Sequence, residues 1–120
     1  MKLPNAERGH VEREKVVAYL LNREHPDGRS KALFFERFGF RATRWRQLAV
    51  ALRNQAIQSP VSKKEETLYG TRYVVDGPIQ TPTGDEPHVR TVWIVEQGRG
   101  ASRPRLVTAY PIAPNEPKRP

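Results

Sequence analysis

The sequence predicts an α+β fold in which three N-terminal helices pack on one face of a three- to four-stranded antiparallel sheet. The first half carries apolar residues at the 3.6-residue spacing of amphipathic helices. The second half carries β-branched and aromatic residues in short runs separated by Gly and Pro. Because 120 residues suffice for one core, we expect residues 1–112 to form a single α+β domain and residues 113–120 a flexible proline-rich tail.

Three segments have helical periodicity. Residues 11–22 place Val16, Val17, Leu20 and Leu21 on one stripe, opposite charged side chains. Pro26 and Gly28 interrupt this pattern, and Asp27 or Ser30 can cap a second helix over about residues 29–38, with Gly39 at its left-handed exit. A third helix is predicted over about residues 43–58, with Thr43 as its cap.

The second half predicts strands. Residues 59–66 are polar, charged and opened by a proline, which predicts a linker between the two halves. Strands are predicted over residues 67–76, 89–96 and 105–112. The connections over residues 77–88 and 97–104 contain glycines and suit hairpins, so an antiparallel meander follows.

The amino-acid composition narrows the classes of function that this protein can have. Twenty-one Lys and Arg against 13 Asp and Glu give a net charge of +8, which favours a polyanion such as RNA as partner. The lack of Cys and the presence of only 3 His exclude disulfide scaffolds, thiol catalysis and zinc fingers, and we expect no metal or other cofactor. Since no apolar run reaches the length of a membrane span or resembles a signal peptide, we expect a cytoplasmic protein with no membrane partner.

The turn from His25 to Lys31 holds the densest group of functional side chains. A helix that begins near Arg29 points free backbone N–H groups toward the same place as Arg29 and Lys31, which predicts a phosphate site. His25 has an unperturbed pKa near 6.5 in peptides, so it is our first candidate for a general acid or base. The alternative is that His25 caps the preceding helix and the basic residues are only solvated.

Two strands add candidates. Arg90 lies in a strand with apolar residues on both faces, and it therefore needs a partner: Asp76, Glu96 or a ligand phosphate. Thr108 and Tyr110 share one strand face, where two hydroxyls can hold an oxyanion, although both residue types are also common strand filler. We expect RNA contacts from four further residues, of which Tyr73 alternatively closes the core: Arg29, Tyr73, Trp93 and Arg105.

Several motifs are spread in order over about residues 2–112. They are Leu3-Pro4-Asn5-Ala6-Glu7, Leu21-Asn22-Arg23-Glu24-His25-Pro26-Asp27-Gly28 followed by Lys31-Ala32, Tyr69-Gly70, Tyr73-Val74-Val75-Asp76, Arg90-Thr91-Val92-Trp93-Ile94-Val95 and Pro104-Arg105-Leu106-Val107-Thr108-Ala109-Tyr110. Together these motifs resemble a family of small, stand-alone bacterial proteins of unassigned function. More distantly, the His25 turn and the closing Val107 to Pro111 segment are similar to ribonuclease toxins of the barnase, EndoU, colicin and RelE group.

The toxin resemblance implies helices followed by a four-stranded antiparallel sheet and metal-independent cleavage of RNA. The fourth strand would then come from residues 8–11 or from a split of residues 67–80. His25 matches the turn histidine, Lys31 the helix lysine, and Thr108 and Tyr110 the hydroxyls of the last strand. Arg90 is not part of this resemblance and joins the candidate site because of its position in the predicted strand over residues 89–96. Such a toxin is expected to have an acidic antitoxin as partner.

Together these observations predict a metal-independent endoribonuclease, the toxin of a bacterial toxin–antitoxin or related conflict system. The ribose 2′-hydroxyl would attack the adjacent phosphate while His25 moves the proton. Lys31 and Arg90 would stabilise the added negative charge, and Thr108 with Tyr110 would hold the phosphate oxygens.

Two other functions fit the same composition. A non-catalytic basic module that binds nucleic acid or protein needs only the positive charge, two Trp and four Tyr. An antitoxin or immunity protein fits less well, because most neutralisers of basic enzymes are acidic and this chain is not.

Overall fold

The computed structural model describes residues 1–96 and 103–113, which form an α+β fold with its helices in the N-terminal half. Within these residues there are three helices: α1 (Arg13–Lys15), which runs into a π-helical turn (Val16–Leu20), α2 (Arg29–Arg37) and α3 (Trp45–Gln58). Short 3-10 turns cover Ala6–Arg8 and Ala42–Arg44. Gly39 ends α2 with a φ of 96°, as its position predicts.

The first helix is shorter than its apolar pattern predicts because its last turn widens. The backbone N–H of Leu21 donates to the carbonyl of Val16, five residues earlier, at 2.8 Å. The third helix begins at Trp45 after a 3-10 turn, with Arg44 at its N-cap position, so the predicted cap at Thr43 is wrong.

Four strands lie in the described part of the chain: β1 (Val61–Thr67), β2 (Gly70–Pro78), β3 (His88–Glu96) and β4 (Arg105–Pro111). They form one sheet in the order β1-β2-β3-β4, and every neighbouring pair is antiparallel. The predicted meander is therefore confirmed, with one strand more than the apolar pattern showed.

The extra strand is β1, so the prediction that residues 59–66 form a linker is wrong. This edge strand pairs with β2 through partners such as Lys64 and Tyr73, yet residues 62–66 are all exposed. Its backbone is held by the hydrogen bonds of the ladder, while its charged side chains remain in water, as is common for edge strands. The two sources considered for a fourth strand are also wrong: Thr67 ends β1 rather than opening a strand, and near residue 8–11 only His10 forms an isolated bridge, with Arg105.

The core joins the helices to the sheet. The largest fully buried side chains come from both halves and belong to one cluster: Leu20, Phe35, Phe40, Leu48, Leu52, Val75, Val89, Trp93 and Leu106. Among them, Val75 alternates along β2 with Val74 and Asp76, so these two neighbours point to the opposite sheet face.

A buried amide connects α3 to two strands. Gln55 is 2% exposed and its Nε2 donates to the carbonyls of Val89 at 2.8 Å and Val75 at 3.1 Å. Its Oε1 accepts a hydrogen bond from the Thr91 hydroxyl at 2.8 Å, and the same hydroxyl accepts one from the Trp93 indole at 2.8 Å. Each side-chain polar group of this hydrogen-bonded network has a partner, and the network fixes the position of α3 on the sheet.

The structure describes one of the two predicted loops in full and the other in part. The connection over residues 77–88 does turn tightly, where the N–H of Gly84 donates to the carbonyl of Thr81 at 3.0 Å. The predictions that fall partly beyond the described residues are the hairpin over residues 97–104, of which residues 97–102 lie outside the described part, and the tail, of which residues 114–120 do. Within residues 1–96 and 103–113, no helix has the length and apolar character needed to span a bilayer.

Candidate functional site

The turn before α2 is organised by His25. Its Nδ1 accepts hydrogen bonds from the backbone N–H groups of Asp27 at 3.0 Å and Gly28 at 3.1 Å, and its carbonyl accepts one from Arg29 at 3.0 Å. The His25 side chain therefore orders the turn that leads into α2 rather than capping the preceding helix. Since Gly28 occupies the N-cap position of α2 and no side chain caps it, the predicted caps Asp27 and Ser30 are wrong. Because Nδ1 serves as an acceptor, this geometry assigns the proton of the neutral ring to Nε2.

Gly28 lets this turn lie directly against Tyr19. A Cβ atom at Gly28 would stand 2.2 Å from the backbone carbonyl oxygen of Tyr19, a distance that no real side chain can adopt. The close approach brings the rings of Tyr19 and His25 together edge to face, with centroids 4.9 Å apart. The glycine of the predicted phosphate turn is therefore required by packing.

Four residues surround the phenol of Tyr19: Lys15, His25, Lys31 and Thr108. We call these five residues the tyrosine cluster. The Tyr19 hydroxyl lies 3.2 Å from the Thr108 hydroxyl on β4, and the ammonium groups of Lys31 and Lys15 lie 5.2 Å and 5.4 Å from its ring centroid. Lys31 also donates to the carbonyl of Asp27 at 2.9 Å. The structure thus brings three predicted site residues together around a tyrosine that sequence reasoning missed.

The cluster favours the ionised phenol. Partial burial on its own would raise the pKa of Tyr19, but hydrogen bonds with Thr108 and Lys31 and the positive charges of Lys31 and Lys15 outweigh it. The pKa of Tyr19 therefore lies below the ordinary tyrosine value. A phenol of this kind is better suited to proton transfer than a free tyrosine.

This shift gives a spectroscopic prediction. In an ultraviolet titration, the phenolate signal of Tyr19, isolated as wild type minus Y19F, should appear at lower pH than in K31M, because that variant loses one hydrogen bond and one charge. Since folding lowers the pKa of Tyr19, the ionised phenol stabilises the fold fully above about pH 10, and this contribution is lost as the pH falls through the folded pKa.

The control for this titration is K64M, which removes an ammonium that lies 6.0 Å from the ring of a different tyrosine, Tyr73. The Tyr19 signal should keep its wild-type midpoint in K64M. An identical midpoint in wild type and K31M would contradict the assigned electrostatics of the cluster.

A second group of predicted residues lines a cleft of about 410 Å³, which we call the sheet cleft. Its walls are Ser62, Lys63, Glu65, Arg72, Val74, Asp76, Arg90, Val92 and Tyr110. The guanidinium of Arg90 donates to both carboxylate oxygens of Asp76, at 2.7 Å and 2.8 Å. Hydrogen bonds to Asp76 and to Tyr110 outweigh burial and raise the pKa of Arg90, so it stays cationic. Of the two carboxylates predicted as possible partners of Arg90, Asp76 and Glu96, the structure pairs it with Asp76.

Strand β4 connects the two groups. Thr108 pairs with Val92 and Tyr110 with Arg90, so the two hydroxyl residues stand two positions apart on the strand, about 7 Å. The ladder is irregular opposite Val92 and Trp93, where Val107 is the additional residue of a bulge. The predicted catalytic residues therefore form two neighbouring sets rather than one: His25, Lys31 and Thr108 in the tyrosine cluster, and Arg90 with Tyr110 in the sheet cleft.

Of the four residues predicted to contact RNA, two are buried and two are at least partly exposed. Trp93 is 0% and Tyr73 6% exposed, and both belong to the core, so neither can stack a base at the surface. For Tyr73 the core alternative describes the structure, and Trp93, predicted only as an RNA contact, also lies in the core. Arg29 is exposed at the start of α2, and Arg105 is half-buried with its guanidinium 3.5 Å from Glu96.

Metal ligands do not gather in the described residues: no group of three or more His, Cys, Asp or Glu there is placed to hold an ion. The tyrosine cluster is instead lined by cations and hydroxyls, which suit an anionic ligand. The sheet cleft combines three cations with two carboxylates, Glu65 and Asp76.

The fold is similar to that of a chain in a solved structure described as a contact-dependent growth inhibition toxin - immunity protein complex from Klebsiella pneumoniae 342. The TM-score is 0.66 at 18% sequence identity, and the match covers 85% of this chain and 98% of that chain. No curated protein matches the sequence. The family model described as Domain of unknown function (DUF6883) matches residues 2–113, nearly the whole chain, and the protein therefore belongs to this family.

Proposed function

We propose that this protein is a metal-independent endoribonuclease, the toxin of a bacterial conflict system, which cleaves RNA through attack of a ribose 2′-hydroxyl on the adjacent phosphate. The observation that carries the proposal is the tyrosine cluster. There, a phenol of lowered pKa stands within reach of two ammonium groups, an imidazole and a hydroxyl, at the surface of a chain of net charge +8. This is the combination of groups that an RNA phosphate and its proton transfers require.

Tyr19, rather than His25, is the group we propose to move the proton. The Nδ1 of His25 is engaged by two backbone N–H groups, so a base at Nε2 would need the opposite tautomer and would lose both hydrogen bonds. The neutral ring is instead suited to donate its Nε2–H to a phosphate oxygen. A neutral histidine held by a helix N-terminus performs this kind of task in other enzymes.

In the proposed step, the 2′-oxygen forms a bond to phosphorus while the bond from phosphorus to the 5′-oxygen breaks. The 2′-hydroxyl proton passes to the phenolate of Tyr19, and the 5′-oxygen takes a proton from water. The hydroxide left by that water then takes the proton from the phenol, which restores the phenolate. The products are a 2′,3′-cyclic phosphate and a 5′-hydroxyl. Lys31 uses two of its three N–H donors, one on Asp27 and one on Tyr19, and the third can bind the charge that develops on the phosphate.

The sheet cleft is proposed to bind the RNA next to the scissile phosphate. Asp76 holds the guanidinium of Arg90 in a fixed orientation, and Tyr110 stands beside it. Because Thr108 belongs to the tyrosine cluster and Tyr110 to the cleft, a strand of RNA that follows β4 would touch both.

The role in a conflict system is supported by the fold shared with a chain of a toxin–immunity complex. A toxin of this kind needs a neutralising partner, and an acidic antitoxin would fit the net charge of +8. Contact with RNA and contact with such a partner would use the same basic surface.

The test is RNA cleavage by the purified protein, with the 2′,3′-cyclic phosphate ends measured directly. We expect Y19F to cleave about 10²–10⁴-fold more slowly than wild type, because it lacks only the hydroxyl that takes the proton. The matched control is Y69F, which makes the same change at a tyrosine that is 79% exposed in the β1–β2 turn. It should cleave at the wild-type rate.

Two results would contradict the proposal. Equal rates for Y19F and wild type would remove Tyr19 from the reaction. RNA binding that weakens with salt but yields no product under any condition would favour the non-catalytic module, a reading that the structural role of His25 at the start of α2 also supports.

A further inference from the structure

A cavity of about 280 Å³ lies beside α3, apart from the tyrosine cluster and the sheet cleft. Its lining residues are Gly9, His10, Val11, Trp45, Arg46, Ala49, Val50, Arg53 and Arg103. The lining contains three arginines and a histidine but no carboxylate among the residues that the structure describes. In a protein with 13 acidic residues, a concave surface of this composition is suited to an anion.

The helix wall presents two arginines and a tryptophan. Arg46 and Arg53 are seven residues apart on α3, which is two turns or about 10 Å along the helix axis. Neither forms an ion pair with any described residue. Trp45 is half-buried, and the Arg46 guanidinium lies 4.9 Å from its ring centroid. Positive charge and an aromatic surface therefore stand side by side.

The opposite wall is fixed by the backbone. The N–H of His10 donates to the carbonyl of Pro104 at 2.8 Å, and the carbonyl of His10 accepts from Leu106 at 2.9 Å. Arg103 donates from Nε to the carbonyl of Arg8 at 2.9 Å. These bonds hold both segments in place, so the cavity is preformed and its ordering cost on binding is small.

We propose that this cavity is a binding site for single-stranded nucleic acid, in which a base packs against Trp45 while Arg46, Arg53 and Arg103 contact phosphates. Arginines 10 Å apart can reach different phosphates of one strand, and aromatic side chains flanked by cations are the usual platform for unpaired bases. An acidic protein surface would complement the positive charge of the arginines, but it would not supply a flat group to pack against Trp45 in the cavity. This site binds without chemistry, so it does not depend on the cleavage proposed above.

The two tryptophans make the site measurable. Trp93 is 0% exposed, so quenching of the intrinsic fluorescence by an added oligonucleotide reports on Trp45. The probe is a 2′-O-methyl RNA hexamer, which has no free 2′-hydroxyl and therefore cannot be cleaved by the proposed reaction. We expect saturable quenching in wild type and in Y19F alike, even if Y19F and wild type prove equally inactive on RNA.

The variants are R53Q and R46Q, with R37Q as the control of equal charge change on the exposed surface of α2. Measured by anisotropy of a labelled hexamer, binding should weaken about tenfold in R53Q and in R46Q. The slope of log affinity against log salt should fall by about 0.7 in each, the contribution of one phosphate contact in a single strand. R37Q should bind as wild type does, and melting curves identify any variant that fails to fold.

Three outcomes would overturn the site. They are the absence of quenching, an equal loss of affinity in R37Q and R53Q, and tighter binding of polyglutamate than of the hexamer. The last would identify an acidic protein as the occupant.

Discussion

Replacement of His25 by asparagine is expected to slow RNA cleavage by about 10²–10³-fold while the melting temperature stays near that of wild type. The amide oxygen of asparagine can take the position of Nδ1 and accept the N–H groups of Asp27 and Gly28, which His25 now holds at 3.0 Å and 3.1 Å. The amide does not reach as far as Nε2, so the proposed hydrogen bond to the phosphate is lost. Loss of one such donor has an effect of this size in other enzymes.

Two companion variants separate the roles of the ring. H25A also removes the two hydrogen bonds that Nδ1 accepts in the turn, and should lower the free energy of unfolding by about 1 kcal/mol in addition to slowing cleavage. H25Q places an amide near the position of Nε2 but gives up these two hydrogen bonds, so it should lose stability and retain more activity than H25N. The measurements are initial cleavage rates and thermal melting curves for all three variants.

The pH profile decides which residue moves the proton. If Tyr19 is the base, the rate of wild type rises with pH toward the lowered pKa of the phenol, and H25N keeps the same profile at a lower rate. If His25 is the base, the pH profile of wild type has a limb that the profile of H25N lacks. The second result would return the proton transfer to the histidine, as the sequence alone suggests.

The helices were predictable because burial imposes a period on them. Phe35, Leu48 and Leu52 are buried at positions that the apolar spacing identifies. Strand β1 was not predictable in this way, because an edge strand needs no buried side chain and its five central residues are all exposed. Its pairing is a property of the backbone of β2, which a local pattern cannot show.

The candidate site was predictable only where local chemistry marks it. A turn with His25, Gly28 and Lys31 at the start of a helix is visible in the sequence, and so are two hydroxyls on one strand. Tyr19 was missed because its neighbours come from α2 and β4, distant in sequence, although Lys15 one turn earlier places a charge on the same side. Trp93 was misplaced for the opposite reason: a strand buried on both faces gives no alternation to separate core from surface.

Replacement of Gln55 by leucine is expected to lower the free energy of unfolding by about 2–5 kcal/mol, although leucine is apolar and of similar size. The amide is 2% exposed and serves four partners, the carbonyls of Val75, Gly77 and Val89 and the hydroxyl of Thr91. Each of them would be left buried with a hydrogen bond lost, at a cost of about 1–3 kcal/mol for an unsatisfied group. The gain from burying the apolar side chain of leucine offsets only part of the cost of these lost hydrogen bonds.

The matched control for Gln55 is Gln47 of the same helix, which is exposed, so Q47L should stay within about 0.5 kcal/mol of wild type in urea unfolding. The Thr91 hydroxyl accepts the Trp93 indole N–H, and the loss of Gln55 frees that hydroxyl to reorient. We therefore also expect a changed emission of Trp93 in folded Q55L but not in Q47L. Equal unfolding free energies for the two variants would mean that the amide network does not hold α3 on the sheet and that apolar packing alone does.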